Sequence, residues 1–262
     1  MEPESIAAYD LPDRVRAYDA DMDLMHPNRP KMVGVALEVL PFESSAPLRA
    51  LDLGTGTGFM ATRFLEAFPR ASVVAVDGAG AMVDLARARL GSPEGRVTFV
   101  VGDFRSLRAL VSKNAPFDVA FSSYALHHLT AAEKGALLKD VRSLLSPGGW
   151  FVNADLVVSA SAKLEERIQA LRVRGIVSRA AGRDLSRSVG APPPTRWAEG
   201  SRFETAAATR TFLDELEARE GDQPLPLQRD LAILREAGFK GVEVFWREYR
   251  EAVYGGPAEV SE

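Results

Sequence analysis

Leu51-Asp52-Leu53-Gly54-Thr55-Gly56-Thr57-Gly58 places glycine at three alternate positions, directly after the apolar-rich run Leu48–Leu53. Thr57–Phe68 then has the composition of a helix, and Pro69 stops it. Glycines where a strand passes into a helix let the backbone turn tightly and approach a ligand. The helix start supplies free N–H groups. The spacing is G-x-G-x-G. The dinucleotide fingerprint G-x-G-x-x-G would need glycine at 59, where Phe59 stands. No Gly-Lys-Ser/Thr follows, so the loop is not a P-loop. Taken alone, the glycines also fit a simple turn.

Outward from this loop, short apolar runs alternate with amphipathic ones as far as Trp150. Ala71–Val76 reads as a strand closed by Asp77, Arg96–Val101 as a strand ending at Gly102-Asp103, and Phe117–Phe121 as another. Gly148–Val158 reads as a strand after a Pro147-Gly148-Gly149 turn. Ala81–Leu90 and Ala131–Leu145 have helical spacing between these strands. Strands that are apolar throughout are buried on both faces, which favours a parallel sheet with helices on each side. After Val158 the rhythm changes. Ala160–Arg187 is polar and helical in period, Gly190–Gly200 is a proline-rich loop, and Phe203–Arg219 is an amphipathic helix. Leu227–Ala237 is a helix ended by Gly238, and Lys240–Val253 is one or two strands.

The composition narrows the class of molecule. The 262 residues are 46% hydrophobic and 26% charged, which excludes a wholly disordered chain, a collagen and a coiled coil. Cysteine is absent, which removes disulfide frameworks, zinc ribbons, iron–sulfur clusters and cysteine nucleophiles. The net charge of −4 argues against a generic nucleic-acid coat. Residues 1–25 are acidic and lack the basic start and apolar core of a secretory signal, and no apolar run approaches membrane-helix length. The expectation is a cytoplasmic protein.

Three further features join the glycine loop. Asp77 ends the second strand, where a carboxylate accepts both hydroxyls of a ribose in doubly wound nucleotide folds. Asp103 and Phe104 follow the third strand; an acid beside an aromatic suits an adenine amino group and its ring face. Ser122-Ser123-Tyr124-Ala125-Leu126-His127-His128-Leu129 follows the fourth. All four sites fall at the carboxyl ends of expected parallel strands, where such sheets bind ligands. Each acid alone also suits a helix cap or a solvated turn.

As a set, Leu51–Gly58, Val76-Asp77, Gly102-Asp103-Phe104, Phe117-Asp118-Val119, Leu126-His127-His128-Leu129 and Leu145-Ser146-Pro147-Gly148-Gly149 resemble the class I S-adenosylmethionine-dependent methyltransferases. Leu234–Phe239 resembles the family's last helix-to-strand turn. The resemblance implies an α/β, doubly wound, Rossmann-like seven-stranded sheet, mostly parallel with an antiparallel C-terminal hairpin, carrying N-terminal helices and a helical cap insertion. It implies that S-adenosyl-L-methionine is the cofactor. Asp52 with Gly54, Thr55, Gly56 and Gly58 would surround its methionine part, Asp77 would hold the ribose, and Asp103 with Phe104 the adenine. Gly78 and Met82 join this cofactor-binding set, and Ser122 would lie near the methionine end. Tyr18 stands in a Tyr-Asp segment like that of family members whose N-terminal helix lids the cofactor. It either bonds the cofactor carboxylate or packs its helix onto the domain.

The expected organisation is an N-terminal helical lid (1–45), a cofactor-binding core (46–155), a substrate cap (156–225) and a C-terminal helix with strands completing the sheet (226–262). His127 and His128 are candidate general bases, or they only shape the pocket. His26, Tyr124, His127, Asp155 and Trp197 are candidate substrate residues, and nothing in the histidine spacing favours a metal. Arg179, Arg183 and Arg187 share one helix face, which is either solvated or an anion site. Three functions remain open. One is methylation of a small molecule. Another is transfer-RNA wobble modification with a carboxylated form of the cofactor. The third is a non-catalytic cofactor-binding protein acting through partners, with a homodimer face available.

Overall fold

A computed structural model describes residues 4–91, 95–182 and 202–259. Three helices come first: α1 Glu4–Tyr9, α2 Pro12–Met25 and α3 Arg29–Glu38. There follow β1 Arg49–Leu53, α4 Phe59–Ala67, β2 Ser72–Asp77, α5 Gly80–Leu90, β3 Val97–Val101, α6 Leu107–Val111, β4 Phe117–Ser123, α7 Ala131–Leu144 and β5 Leu145–Leu156. The chain then forms α8 Ala162–Ala180, α9 Ala206–Glu220, α10 Leu227–Glu236, β6 Glu243–Glu248 and β7 Glu251–Pro257. Two compact units emerge. A helical unit lies within Met1–Lys31 and Ser159–Asp222, and a sheet unit within Met32–Val158 and Gln223–Glu262.

The sheet unit holds seven strands in the order β3-β2-β1-β4-β5-β7-β6. β1 pairs parallel with β2 and β4, β2 with β3, and β4 with β5. The terminal hairpin is antiparallel, β7 pairing with both β5 and β6. The order reverses at β1 and β4, so a crevice opens at their carboxyl ends.

Alternation along the strands divides the core. Leu51 and Leu53 join a cluster with Leu107 and Val111 of α6, Leu137 and Val141 of α7, and Leu231 and Leu234 of α10. Asp52 points the other way, in register with Phe121, whose ring lies 5.0 Å from that of Phe64 on α4. The apolar stripes of α4 and α5 (Phe64 and Leu65; Met82, Val83 and Ala86) are buried. Each helix thus covers one face of a sheet whose inner strands carry no solvated side, as their unbroken apolar runs require.

The helical unit has its own core, built from Leu24, Met25, Val173, Ile176, Phe203, Leu213 and Leu216. The segments expected as separate lid and cap therefore contribute to one unit. Several polar groups of this unit pair between elements. Asp21 accepts two bonds from Arg202 at 2.5 and 2.7 Å, Arg172 donates to Glu217 at 2.6 Å, and the Tyr9 hydroxyl donates to Glu220 at 3.0 Å.

Three details differ from the sequence reading. The Pro147-Gly148-Gly149 turn is absorbed into β5. Phe117 pairs with Leu145 and Val119 with Trp150, so the extra residues bulge out of the ladder. Helix α6 was not expected, because five residues are too few to show a period. β7 continues to Pro257, past the Val253 limit expected for the terminal strands.

Candidate cofactor site

The glycine loop is strapped to the end of β2. Both Gly54 and Thr55 donate their N–H groups to the Val76 carbonyl, at 2.9 and 3.0 Å. Gly54 has φ +71°, and a Cβ built there would stand 2.3 Å from Cβ of Ala125 and 3.5 Å from the Phe104 ring. Only glycine allows the ends of β1, β3 and β4 to meet so closely. Gly58 opens α4 with φ +76°, and no side chain caps that helix. Its first N–H groups therefore point toward the loop without a side-chain acceptor from the cap position. Arg89 of α5 donates to Thr57 at 2.8 Å and holds the loop from outside.

Asp77 binds the loop as well. Its carboxylate accepts the N–H of Gly56 at 2.8 Å and that of Ala79 at 2.9 Å. Asp52 is buried, and its Oδ2 has no hydrogen-bond partner. Burial pushes the Asp52 carboxyl up to about 7, with Thr55 opposing the rise and the Asp77 charge adding to it. Asp103 caps a short turn at Phe104–Ser106 and accepts from the Arg105 N–H at 2.9 Å. Gly78 and Phe104 are half-buried and Met82 is buried.

The fourth strand end is more crowded. The Ser122 hydroxyl donates to the Leu53 carbonyl at 2.9 Å, stapling β4 to β1. Tyr124 adopts φ 51°, uncommon for a residue with a side chain. Its buried hydroxyl donates to Glu251 at 2.7 Å and lies 3.1 Å from the Met32 sulfur. His127 and His128 are both buried, their rings 4.1 Å apart. Nδ1 of His127 meets Asp155 at 2.6 Å. Asp155 is wholly buried and also accepts the Leu156 N–H at 2.8 Å, so it stands behind His127. Burial works to raise the Asp155 pKa. The charge and hydrogen bond of His127, then the charge of Lys134, outweigh it and hold the carboxyl below its usual range.

Tyr18 and His26 belong to the helical unit. Tyr18 packs edge-on against Tyr9 with ring centroids 5.9 Å apart, and His26 is buried at the end of α2. Arg179 donates to the Leu24 carbonyl at 2.9 Å. Arg183, Arg187 and Trp197 lie outside the described residues.

Strand order, loop and acids coincide with a known domain: a family model described as a methyltransferase domain matches residues 50–149. Residues 50–149 are a methyltransferase domain, the kind that the resemblance to class I S-adenosylmethionine-dependent enzymes implied. An uncharacterized methyltransferase of Anoxybacillus flavithermus is 34% identical over 137 residues, 52% of this chain and 59% of that protein. A demethylmenaquinone methyltransferase of Thermus thermophilus is 32% identical over 152 residues, 58% of this chain and 62% of that protein. The chain thus spans less than two thirds of these curated relatives. Among solved structures, an O-methyltransferase family protein from Burkholderia thailandensis aligns with a TM-score of 0.62 at 16% identity. That alignment covers 98% of this chain and 63% of the other, and it shows a shared fold.

The residues of the methyltransferase domain fit the cofactor. The Gly54 cradle leaves no room for a side chain, Asp52 Oδ2 stands buried without a partner, and α4 begins without a side-chain cap. Among the described residues no helix is long and apolar enough to cross a membrane.

Proposed function

We propose that this chain transfers a methyl group from S-adenosylmethionine to a small-molecule acceptor. The observation that carries the proposal is the glycine cradle beside a buried carboxylate oxygen without a partner. In this reading Asp52, Gly54, Thr55, Gly56 and Gly58 hold the methionine part of the cofactor. Asp77 and Gly78 hold the ribose, and Asp103 and Phe104 the adenine, with Met82 in the same set and Ser122 toward the methionine end. When bound, the cofactor supplies a methyl group activated by a sulfonium. The chain's own part is alignment and exclusion of water. The demethylmenaquinone methyltransferases among the relatives act, by name, on a small molecule, which supports that class of acceptor.

Where the acceptor must lose a proton, His127 takes it. Asp155 fixes the imidazole through Nδ1 and stabilises the imidazolium, the arrangement that suits a base. The test is transfer of a labelled methyl group to panels of phenols, quinone-type aromatics and amines. Incorporation into one panel is expected. His127→Gln should lower kcat by about 10²–10⁴-fold while leaving cofactor affinity in place. Incorporation into transfer RNA alone, or none with any acceptor, would refute the small-molecule reading.

A further inference from the structure

Arg105 is absent from the set of residues expected to touch the cofactor, yet its side chain bridges Asp103 to the start of α7. Its backbone N–H and its Nη1 reach the two different oxygens of Asp103, at 2.9 and 3.1 Å. Its Nε donates to Glu133 Oε1 at 2.8 Å. Glu133 is itself locked. Its other oxygen accepts the Thr130 N–H at 2.9 Å and the Thr130 hydroxyl at 2.8 Å, the reciprocal cap that starts α7. Partial burial works to raise the Glu133 pKa. The Thr130 hydrogen bonds and then the bond and charge of Arg105 outweigh it, so the carboxylate stays charged. A chain of contacts thus runs from the start of α7 through Glu133 and Arg105 to Asp103, beside the Phe104 ring that touches the Gly54 cradle.

The arrangement costs Asp103 nothing in acceptor capacity. A carboxylate offers about four lone-pair sites, and two bonds from Arg105 leave others for a ligand. It does remove rotational freedom, because the two oxygens are held from two sides. The guanidinium gives one bond to Asp103 and one to Glu133, so its planar group ties the two carboxylates together as a single ammonium does not.

We propose that Arg105, anchored by Glu133, is a positioning residue that aims Asp103 at the exocyclic amino group of the cofactor's adenine and so sets selectivity for that base. The inference rests on the assignment of Asp103 to adenine made above. Arg105 acts through Asp103 and has no contact of its own with the base.

The discriminating probe is a base whose six-position carries oxygen in place of nitrogen. A carboxylate accepts from an amino group and repels a carbonyl, so the correctly aimed Asp103 favours S-adenosylhomocysteine over S-inosylhomocysteine. Affinities for both ligands are measured by calorimetry on the full chain, for wild type, Arg105→Met, Arg105→Lys and Asp103→Asn. Arg105→Met should weaken the adenosyl ligand by about tenfold and the inosyl ligand by less than about twofold. Arg105→Lys, which keeps the charge and loses the two-way bridge between Asp103 and Glu133, should show the same selective loss at smaller size. It carries the test if the methionine variant does not fold. Asp103→Asn should lose the preference outright. If Asp103→Asn behaves so while the Arg105 variants weaken both ligands equally or neither, the positioning role is wrong and the adenine assignment stands. If Asp103→Asn keeps the full preference, the adenine assignment fails and the positioning role fails with it.

Discussion

Two buried aspartates mark the contrast between the units. In the helical unit, Asp21 receives two hydrogen bonds from Arg202, whose guanidinium also lies 4.4 Å from the Phe212 ring centroid. In the sheet unit, Asp52 sits at the end of β1 with one oxygen lacking a partner. A buried charge is costly unless it is paired. Asp21 is paired by the chain itself and serves its architecture. Asp52 keeps one buried oxygen without a partner, and burial pushes its carboxyl up to about 7. Stability and binding should therefore respond to mutation in opposite units.

The largest effect is expected at the cradle. Gly54→Val forces a side chain into the 2.3 Å approach of Ala125 at φ +71°. Cofactor affinity measured by calorimetry should fall by more than about 100-fold. Next comes the pH dependence of Asp52. Its folded pKa is raised from 3.8 to about 7, so the native state holds the proton more tightly than the unfolded chain. Its contribution to stability is full below pH 4, falls as pH rises through 7, and is gone above that. Urea unfolding of the ligand-free chain at pH 5 and pH 8 should show wild type losing roughly 3 kcal/mol more than Asp52→Asn over this interval. An identical pH response in the two proteins would remove the contrast with Asp21.

In the helical unit, Arg202→Met removes the two bonds that Arg202 gives the buried Asp21 carboxylate. Arg202 is 40% exposed, so the loss is expected near 2 kcal/mol, at the low side for a broken buried pair, read by urea unfolding. A loss under about 0.5 kcal/mol would mean that the Asp21 pair is not what holds this corner. The smallest effect belongs to the α7 cap. Thr130→Ala removes the hydroxyl of the reciprocal cap and should cost about 1 kcal/mol in the same measurement.

The same contrast explains what could be read from residues alone. The placement of Gly54, Asp77 and Asp103 was legible because each lies at the carboxyl end of a strand, and a parallel sheet gathers those ends on one side. The terminal antiparallel hairpin followed from the family resemblance, since local pattern does not pair strands. Pairings between distant residues were not legible. Lys134 looked like any polar position on an amphipathic helix, yet it is buried and meets Asp230 at 2.6 Å across 96 residues of sequence. Asp155 was singled out as facing a substrate, while the fold turns its carboxylate to His127. The reach of the Thr130–Glu133 cap to Arg105 depends on how α7 docks, which local spacing does not show.

The decisive measurement is a calorimetric titration of the full chain with S-adenosylhomocysteine, run beside Gly54→Val. Saturable one-to-one binding by the wild type, with none detectable for a folded Gly54→Val variant, is the expected result. Equal binding by both proteins, or none by the wild type, would contradict the assignment of the glycine cradle as the cofactor site.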